Sequence, residues 1–378
     1  MRVLLVTKGL DLGGIERMVV DLALGLSAAG VDVEVAVVNS HRDRLAPTLD
    51  AHGITLHRLD GTDTIGLRAA RRLADLVTDA RFDVVHVHGP LPAVVARIAT
   101  RGRRMITTSH TPWGSLRLPT RMAWRATDAL DEASVAVSAA VAASLPGRAR
   151  RRAIVIPHGI DPARISAAIA AAGDPHGPNT RRSDSRAGRN DVDGTGMAGI
   201  TVVTVASHRD AKNYPNLLHG VQAARESGAA IRLVTIGDGP NLDAHVELAH
   251  TLGLDDVVTF RPSTDDVLAE IAKADILAVA SDYEGQPIVV AEALALGLPV
   301  VATAVGRVPE MVNTAVGRVV PPRDPGALGA ALAELATSPE LRAEMSAAAR
   351  SRLNAWTLDD VIAAHLALYT DVAAAAAG

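Results

Sequence analysis

Residues 283–303 read YEGQPIVVAEALALGLPVVAT, and the fold follows from this stretch. A β-branched apolar run, Ile276–Val279, precedes it, and buried parallel strands read as such short continuous runs. A helix is predicted over Pro287–Leu296. Proline suits the first helical position, Ala291, Ala293 and Ala295 keep the helix slim, and Gly297 closes it before the next apolar run at Val300–Ala302. Strand, helix, strand at this spacing is a βαβ unit, which sets the two strands parallel in one sheet.

The alternation extends in both directions. Towards the C-terminus it adds a strand at Gly317–Val320 and helices at Pro325–Ala336, Pro339–Asn354 and Leu358–Ala376, with Ser338 and Thr357 as start signals. Towards the N-terminus lie strands Ile200–Ala206, Ile231–Ile236 and Val257–Phe260, separated by helices Asn216–Ser227, Asn241–Leu252 and Thr264–Lys273. Then the pattern stops. From Gly173 to Gly199 apolar residues nearly vanish, and the segment buries too little surface to offset its ordering entropy. A flexible low-complexity insertion over 171–199 is expected. Ahead of it a second array runs through strands Arg2–Thr7, Val31–Val38, Ile54–Arg58, Val84–Val87, Met105–Ser109, Ser134–Val137 and Ala153–Ile156. Helices Ile15–Ala29, Thr64–Asp79, Leu91–Thr100, Leu116–Asp131 and Ala139–Leu145 fall between them. Two tandem βα arrays give an α/β protein of two Rossmann-like domains, 1–170 and 200–355, followed by a helix within 356–378.

Composition agrees. A chain of 378 residues exceeds one ordinary core. Aromatics make up only 2% against 48% hydrophobic residues, so the cores consist of Val, Leu, Ile and Ala, which suits helices layered on parallel strands. With no cysteine, disulfides and thiolate metal sites are excluded. The opening apolar run meets Lys8 and Asp11 too soon for a signal peptide, and no stretch approaches a membrane span, so a cytoplasmic location is expected. The net charge of −4 hides an asymmetry: residues 1–170 carry 22 Lys/Arg against 16 Asp/Glu, and residues 200–378 carry 12 against 22. The two halves therefore suit different partners.

Several residues carry chemistry. Glu284 falls in the loop before the Pro287 helix and Glu292 inside it, eight residues on. The first-turn amides of Ile288 and Val289 point out of the helix N-terminus and favour a phosphate, while a carboxylate near such a cleft accepts hydrogen bonds from sugar or ribose hydroxyls. Gly13 and Gly14 sit on a strand-to-helix turn where the backbone can approach a ligand; Glu16 is read as no more than a helix cap. Arg209 and Lys212 follow the first strand of the second domain, where two cations would neutralise a leaving diphosphate. His110 ends a first-domain strand, on the side that faces ligands in open α/β sheets. His86 and His88 alternate on the preceding strand and are read as structural or secondary.

The ordered set of motifs resembles the retaining GT-B glycosyltransferases of family 4. Glu284-Gly285-Gln286-Pro287 with Glu292 and the following Ala-x-Ala-x-Gly-x-Pro-Val-Val-Ala segment is similar to that family's signature. Gly13-Gly14-Ile15-Glu16, Pro157-His158-Gly159-Ile160-Asp161, the loop VASHRDAKNYPNL at 205–217, and Ile236-Gly237-Asp238-Gly239-Pro240 resemble its other motifs in family order. There are two departures: His158 replaces the usual Asn, and Ser207 occupies the place of an Arg five residues before Lys212, a role Arg209 is positioned to take over.

The resemblance implies a GT-B fold, two Rossmann-like α/β/α domains facing across a cleft, with the C-terminal helix crossing back to the first. It implies a retaining hexosyltransferase that moves a sugar from a nucleotide-sugar donor, UDP-sugar before GDP-sugar, to a glycan or lipid-linked acceptor in polysaccharide biosynthesis. His110 and Glu284 would act at the reaction centre, Glu284 touching the donor sugar and Glu292 the ribose. Gly13, Gly14, Ser207, Arg209, Lys212, Gly237, Asp238, Gly285, Gln286, Pro287, Ile288 and Val289 would bind the donor. No cofactor and no metal are expected, because cations and helix N-termini replace the metal, and Asp191-Val192-Asp193 lies inside the low-complexity insertion.

The acceptor should contact the first domain. Arginines 97, 101, 103, 104, 117, 121 and 125 occur with no Asp or Glu between the first and last, and Arg148, Arg150, Arg151 and Arg152 follow. With Leu116, Leu118, Met122 and Trp124 they suggest peripheral contact with an anionic membrane. Nucleic acid is a poor fit because no binding motif accompanies the arginines. A nucleotide-sugar-binding protein without catalysis and a sugar-nucleotide epimerase are the alternatives. A Rossmann dehydrogenase is disfavoured, since the first turn lacks Gly-x-Gly-x-x-Gly.

Overall fold

The computed structural model describes the chain apart from residues 42, 62–64, 80, 102–103, 173–198, 353–356 and 378. The core of the expected insertion, with Asp191 and Asp193, and Arg103 of the basic cluster lie outside the described residues. The chain divides into two compact units. The first comprises Met1–Gly159, Glu284–Gln286 and Trp356–Gly378, and the second Ile160–Tyr283 and Pro287–Ala355.

In the first unit seven strands are described: β1 (Arg2–Thr7), β2 (Asp32–Asn39), β3 (Thr55–Gly61), β4 (Val84–His88), β5 (Met105–Ser109), β6 (Ala133–Ala136) and β7 (Ala153–Val155). They pair in the order β3-β2-β1-β4-β5-β6-β7, all parallel. The order reverses between β1 and β4, which makes the C-terminal end of that pair the expected ligand edge. Strands buried on both faces need apolar side chains throughout, and Val3, Leu4, Leu5 and Val6 of β1 are fully buried. Each such side chain stabilises by about 1.5–3 kcal/mol.

The helix Leu358–Ala377 belongs to this unit, as the resemblance implied. It packs on helix Gly14–Ala28 so closely that a Cβ on Gly25 would stand 2.0 Å from Ile362 Cδ1. Its start is capped: Asp360 N–H donates to Thr357 Oγ1 at 3.3 Å. Ser338, the other expected cap, stands at its helix start without a side-chain bond.

The second unit holds β8 (Ile200–Val205), β9 (Ile231–Ile236), β10 (Val258–Arg261), β11 (Ile276–Val279), β12 (Val300–Thr303) and β13 (Gly317–Val320). Their order is β10-β9-β8-β11-β12-β13, again parallel and again with a switch point, here between β8 and β11. Helices Tyr214–Glu226 and Pro325–Thr337 meet through glycine: a Cβ on Gly329 would lie 2.6 Å from Gly220 O.

Several helix readings change. The predicted helix over Leu116–Asp131 starts at Leu118, with Pro119 in its first turn, and decays into a 3-10 turn at Asp128–Leu130. Six-residue helices at Ala46–Ala51 and Gly147–Arg152 were too short to show a period. Pro162–Ala172 is a further helix, rich in alanine, that packs on Val267–Ala272 in the second unit.

The basic face also needs correction. Arg97 is fully buried, its fork closed on Asp131 with Nε–Oδ1 2.6 Å and Nη2–Oδ2 2.5 Å. Its guanidinium lies 4.5 Å from the ring centre of Trp124, which is itself buried rather than available to an interface. Burial pushes the Asp131 carboxyl up from its usual value, against the pull of the Arg97 hydrogen bonds.

Candidate active site

The first unit has its chemistry at the C-terminal ends of β1, β4 and β5. Register places Thr7 beside His88 and His88 beside Thr108, so the C-terminal ends of three neighbouring strands share one edge. A cavity of about 390 Å³ opens there, and Lys8, Ile15, Ile65, His88, His110 and Trp113 are among its walls. A larger hollow of about 530 Å³ lies at the N-terminal ends of β6 and β7, between Arg101, Glu132 and Arg152. It is at the wrong edge for an α/β ligand site.

Histidines crowd the first edge. His86 bonds Tyr369 Oη through Nδ1 and Thr108 Oγ1 through Nε2, both at 2.6 Å. His88 Nδ1 and His110 Nε2 share a hydrogen bond of 3.1 Å, and His110 stacks on His158 with ring centres 5.3 Å apart. Burial holds His86, His88 and His110 well below the usual imidazole value, and neighbouring imidazoles lower them further. These three imidazoles are therefore neutral at pH 7.

The segment Glu284–Gln286 belongs to the same unit. A Cβ on Gly285 would lie 1.9 Å from His110 O, so only glycine fits there. The Gln286 amide is fully engaged: Oε1 accepts from His158 N at 2.8 Å and Nε2 donates to His158 O at 2.9 Å. Glu284 is half-buried. Gly13 stands just ahead of helix Gly14–Ala28 in extended backbone, and the Glu16 carboxylate folds back into the space beside it, 2.2 Å from a hypothetical Cβ.

The second unit builds a different edge. The loop after β8 and the turn after β9 are laced together: His208 N–H donates to Asp238 O at 3.0 Å, and Asn241 N–H donates to His208 O at 3.1 Å. Gly237 has φ +154°, and a Cβ there would meet Ala206 O at 2.2 Å. Asp238 is exposed and ties its turn to Ser263 by two backbone–side-chain bonds of 3.1 and 3.2 Å. Ser207 is half-buried, Arg209 exposed, and Lys212 half-buried at the end of a 3-10 turn. Pro287 precedes helix Ile288–Ala295, whose first-turn amides at Ile288 and Val289 lack an intrahelical acceptor, and Glu292 is half-buried one turn further.

Two groups at this edge escaped the sequence reading. Asp282 accepts from Asn213 Nδ2 at 2.6 Å and from Arg323 Nε and Nη2 at 2.9 and 2.7 Å, joining loops after β8, β11 and β13. Burial alone would raise its carboxyl, but the Arg323 and Asn213 bonds hold it below the usual range. His208 lies fully buried, stacked 3.9 Å from Tyr214 and bonded to His245 Nδ1 at 2.8 Å. The hydrogen-bond partners of Asp282 lie 69 and 41 residues away and that of His208 37 residues away, which no local pattern reveals.

Among the described residues no cluster of three or more His, Asp or Glu is placed to hold a metal ion, and no helix is long and apolar enough to cross a membrane.

Comparison with known proteins adds to this geometry. The profile described as Glycosyl transferases group 1 matches residues 195–352, and that of Glycosyltransferase Family 4 matches residues 12–164. A GDP-mannose-dependent α-(1-6)-phosphatidylinositol monomannoside mannosyltransferase of Mycobacterium tuberculosis is 34% identical over 44% of this chain and 46% of its own length. The chain thus spans about half the length of that relative. A D-inositol 3-phosphate glycosyltransferase of Acidothermus cellulolyticus is 28% identical over 96% of this chain and 87% of its own. Anabaena HepE, crystallised with UDP and glucose, superposes with a TM-score of 0.78 at 17% identity, covering 98% of this chain and 100% of that one.

Proposed function

From the premise that the chain belongs to the family 4 glycosyltransferases of the GT-B fold, we infer that it transfers a hexose from a nucleoside-diphosphate sugar to a hydroxyl acceptor with retention of anomeric configuration. One observation carries the donor assignment. At the switch point of the second sheet, the Gly237 turn is locked onto the Ser207–Lys212 loop, beside the strand that leads to the helix start at Ile288. Glycine backbone, free first-turn amides and a cation are what a diphosphate needs, and an edge that binds the leaving group through fixed dipoles stabilises charge as it develops.

In this reading Lys212 and Arg209 neutralise the diphosphate, Glu292 takes the ribose, and Glu284 the sugar hydroxyls. Gly13, Gly14, Ile288 and Val289 offer backbone. Gly285 and Gln286 act by holding Glu284 in place. The cations make a divalent metal unnecessary. The acceptor enters the cavity of the first unit beside His110, and a glycan or lipid-linked alcohol fits its mixed apolar and imidazole walls. UDP-hexoses are the first donors to try and GDP-hexoses the second, because HepE holds UDP while the mycobacterial relative is named for GDP-mannose.

The experiment is a thermal-shift panel of UDP-, GDP- and ADP-hexoses in EDTA, followed by transfer assays and NMR of the product anomer. A donor at 100 times its Kd stabilises by about 2.7 kcal/mol. No shift with any donor overturns the assignment, an inverted product overturns retention, and loss of transfer in EDTA overturns metal independence.

The membrane reading rests on helix Leu118–Thr127. Leu118 is 64% and Met122 66% exposed, and with Arg125 they recur at helical spacing, with Arg117 exposed just before. Flotation with anionic vesicles at low salt tests it, and an unbound protein rejects it.

A further inference from the structure

In the first-unit cavity His88 and His110 are hydrogen-bonded to each other, and the proposed reaction leaves His88 without a role. Both rings line the cavity, both are buried, and each keeps one ring nitrogen without a hydrogen-bond partner: Nε2 of His88 and Nδ1 of His110. The other nitrogens meet at 3.1 Å. Two neutral imidazoles so joined have only two arrangements. If His88 Nδ1 carries the shared proton, His110 is protonated at Nδ1 and His88 Nε2 is bare. If His110 Nε2 carries it, the reverse holds. In both cases the pair offers one N–H and one bare nitrogen, the complement of a hydroxyl, which donates once and accepts.

We propose that His88 is a positioning residue for the transfer step, fixing through its Nδ1–Nε2 bond which nitrogen of His110 bears the proton, so that His110 meets the substrate hydroxyl as one neutral tautomer. The surroundings keep it so. His86 is occupied at both nitrogens by Tyr369 and Thr108, His158 stacks on His110, and His365 bonds its own helix at Val361 O. Burial and these neighbouring imidazoles oppose a second proton on the pair.

The inference rests on the transferase reading for its kinetic half but not for its structural half. The test is nitrogen NMR of protein labelled with ¹⁵N-histidine, with His110 assigned from the spectrum of His110→Gln, together with transfer kinetics. In the wild type His110 shows the shifts of one fixed neutral tautomer between pH 6 and 8. His88→Leu averages those shifts and lowers kcat by at least about tenfold, leaving the donor KM within about threefold. His88→Asn, whose amide reaches the Nδ1 position, restores both, and His88→Gln, whose amide reaches the Nε2 position, does not. That Asn–Gln contrast decides the matter even if the leucine variant fails to fold. Unchanged His110 shifts or unchanged kcat in His88→Leu overturns the proposal. A fixed tautomer in a protein with no transfer activity breaks the transferase reading instead.

Discussion

The two sheets share one topology and have different chemistry at the same place. Each reverses strand order after its first strand, between β1 and β4 in one and between β8 and β11 in the other. At the first switch point the walls mix aromatic and aliphatic side chains with Lys8, Glu16 and Arg117, and His88 and His110 among them are held neutral by burial. At the second they are turn glycines, backbone amides, an exposed Arg209 and the Asp282–Arg323 pair. Topology therefore chooses where a ligand binds, and the residues after each strand choose what binds. An edge of imidazoles and apolar walls suits a hydroxyl compound. A glycine and cation edge suits a diphosphate.

The contrast can be broken most sharply at the buried ion pair of the first unit. Arg97→Ala leaves Asp131 buried without its partner, and a loss of roughly 3–5 kcal/mol is expected. Urea unfolding measures it, and a change under 1 kcal/mol would mean the pair contributes nothing specific to the first unit.

Next comes the cation of the second edge. Lys212→Ala should reduce kcat by about 100- to 1000-fold, the effect of removing one fixed stabiliser of developing negative charge, with folding unaltered by circular dichroism. An equal loss in a variant of the first edge's Arg117, exposed and outside the proposed diphosphate site, would erase the distinction.

Acid should separate the units too. Burial lowers His86, His88, His110 and His365 in the first unit, the last to about 4, so the unfolded chain takes up protons first as pH drops. Stability is complete above about pH 6.5 and is lost as pH falls towards the lowered native values, by roughly 2–3 kcal/mol from His365 alone. The second unit has His208, lowered to about 4, and His245. Hydrogen exchange at pH 5 should show β4 and the C-terminal helix opening before β8 and β9, and the reverse order would refute the assignment of acid sensitivity to the first edge.

Gly285→Ala should cost about 1–3 kcal/mol, because its Cβ meets the His110 carbonyl rather than a flexible side chain. The smallest effect belongs to the compensation at position 207. Arg209→Ala should raise the donor KM about five- to tenfold, and Ser207→Arg in that background should recover most of it. Failure of the rescue would show that Ser207 does not occupy the arginine position.

Much of this was legible before any coordinates. Continuous apolar runs and the period of 3.6 are written into consecutive residues, so all thirteen strands named from the sequence recur within a residue or two, apart from β3, which runs on to Gly61. Parallel pairing followed from the βαβ spacing. Boundaries failed where a helix was short or ended in a tighter turn, as at Leu118–Thr127. Arg97 was misread because its partner, Asp131, is 34 residues away, and sequence shows a charge without showing what neutralises it.

What the sequence determined alone is whatever depends on neighbours along the chain: strand and helix periods, the glycine turns at Gly13 and Gly237, and the run of motifs that marks the family. Tertiary structure decided whatever depends on distance through space. It brought His88 to His110, Gln286 to the backbone of His158 and Arg323 to Asp282. Each of these is a hydrogen bond whose strength falls within an ångström, and only the packed sheets and helices set separations that finely.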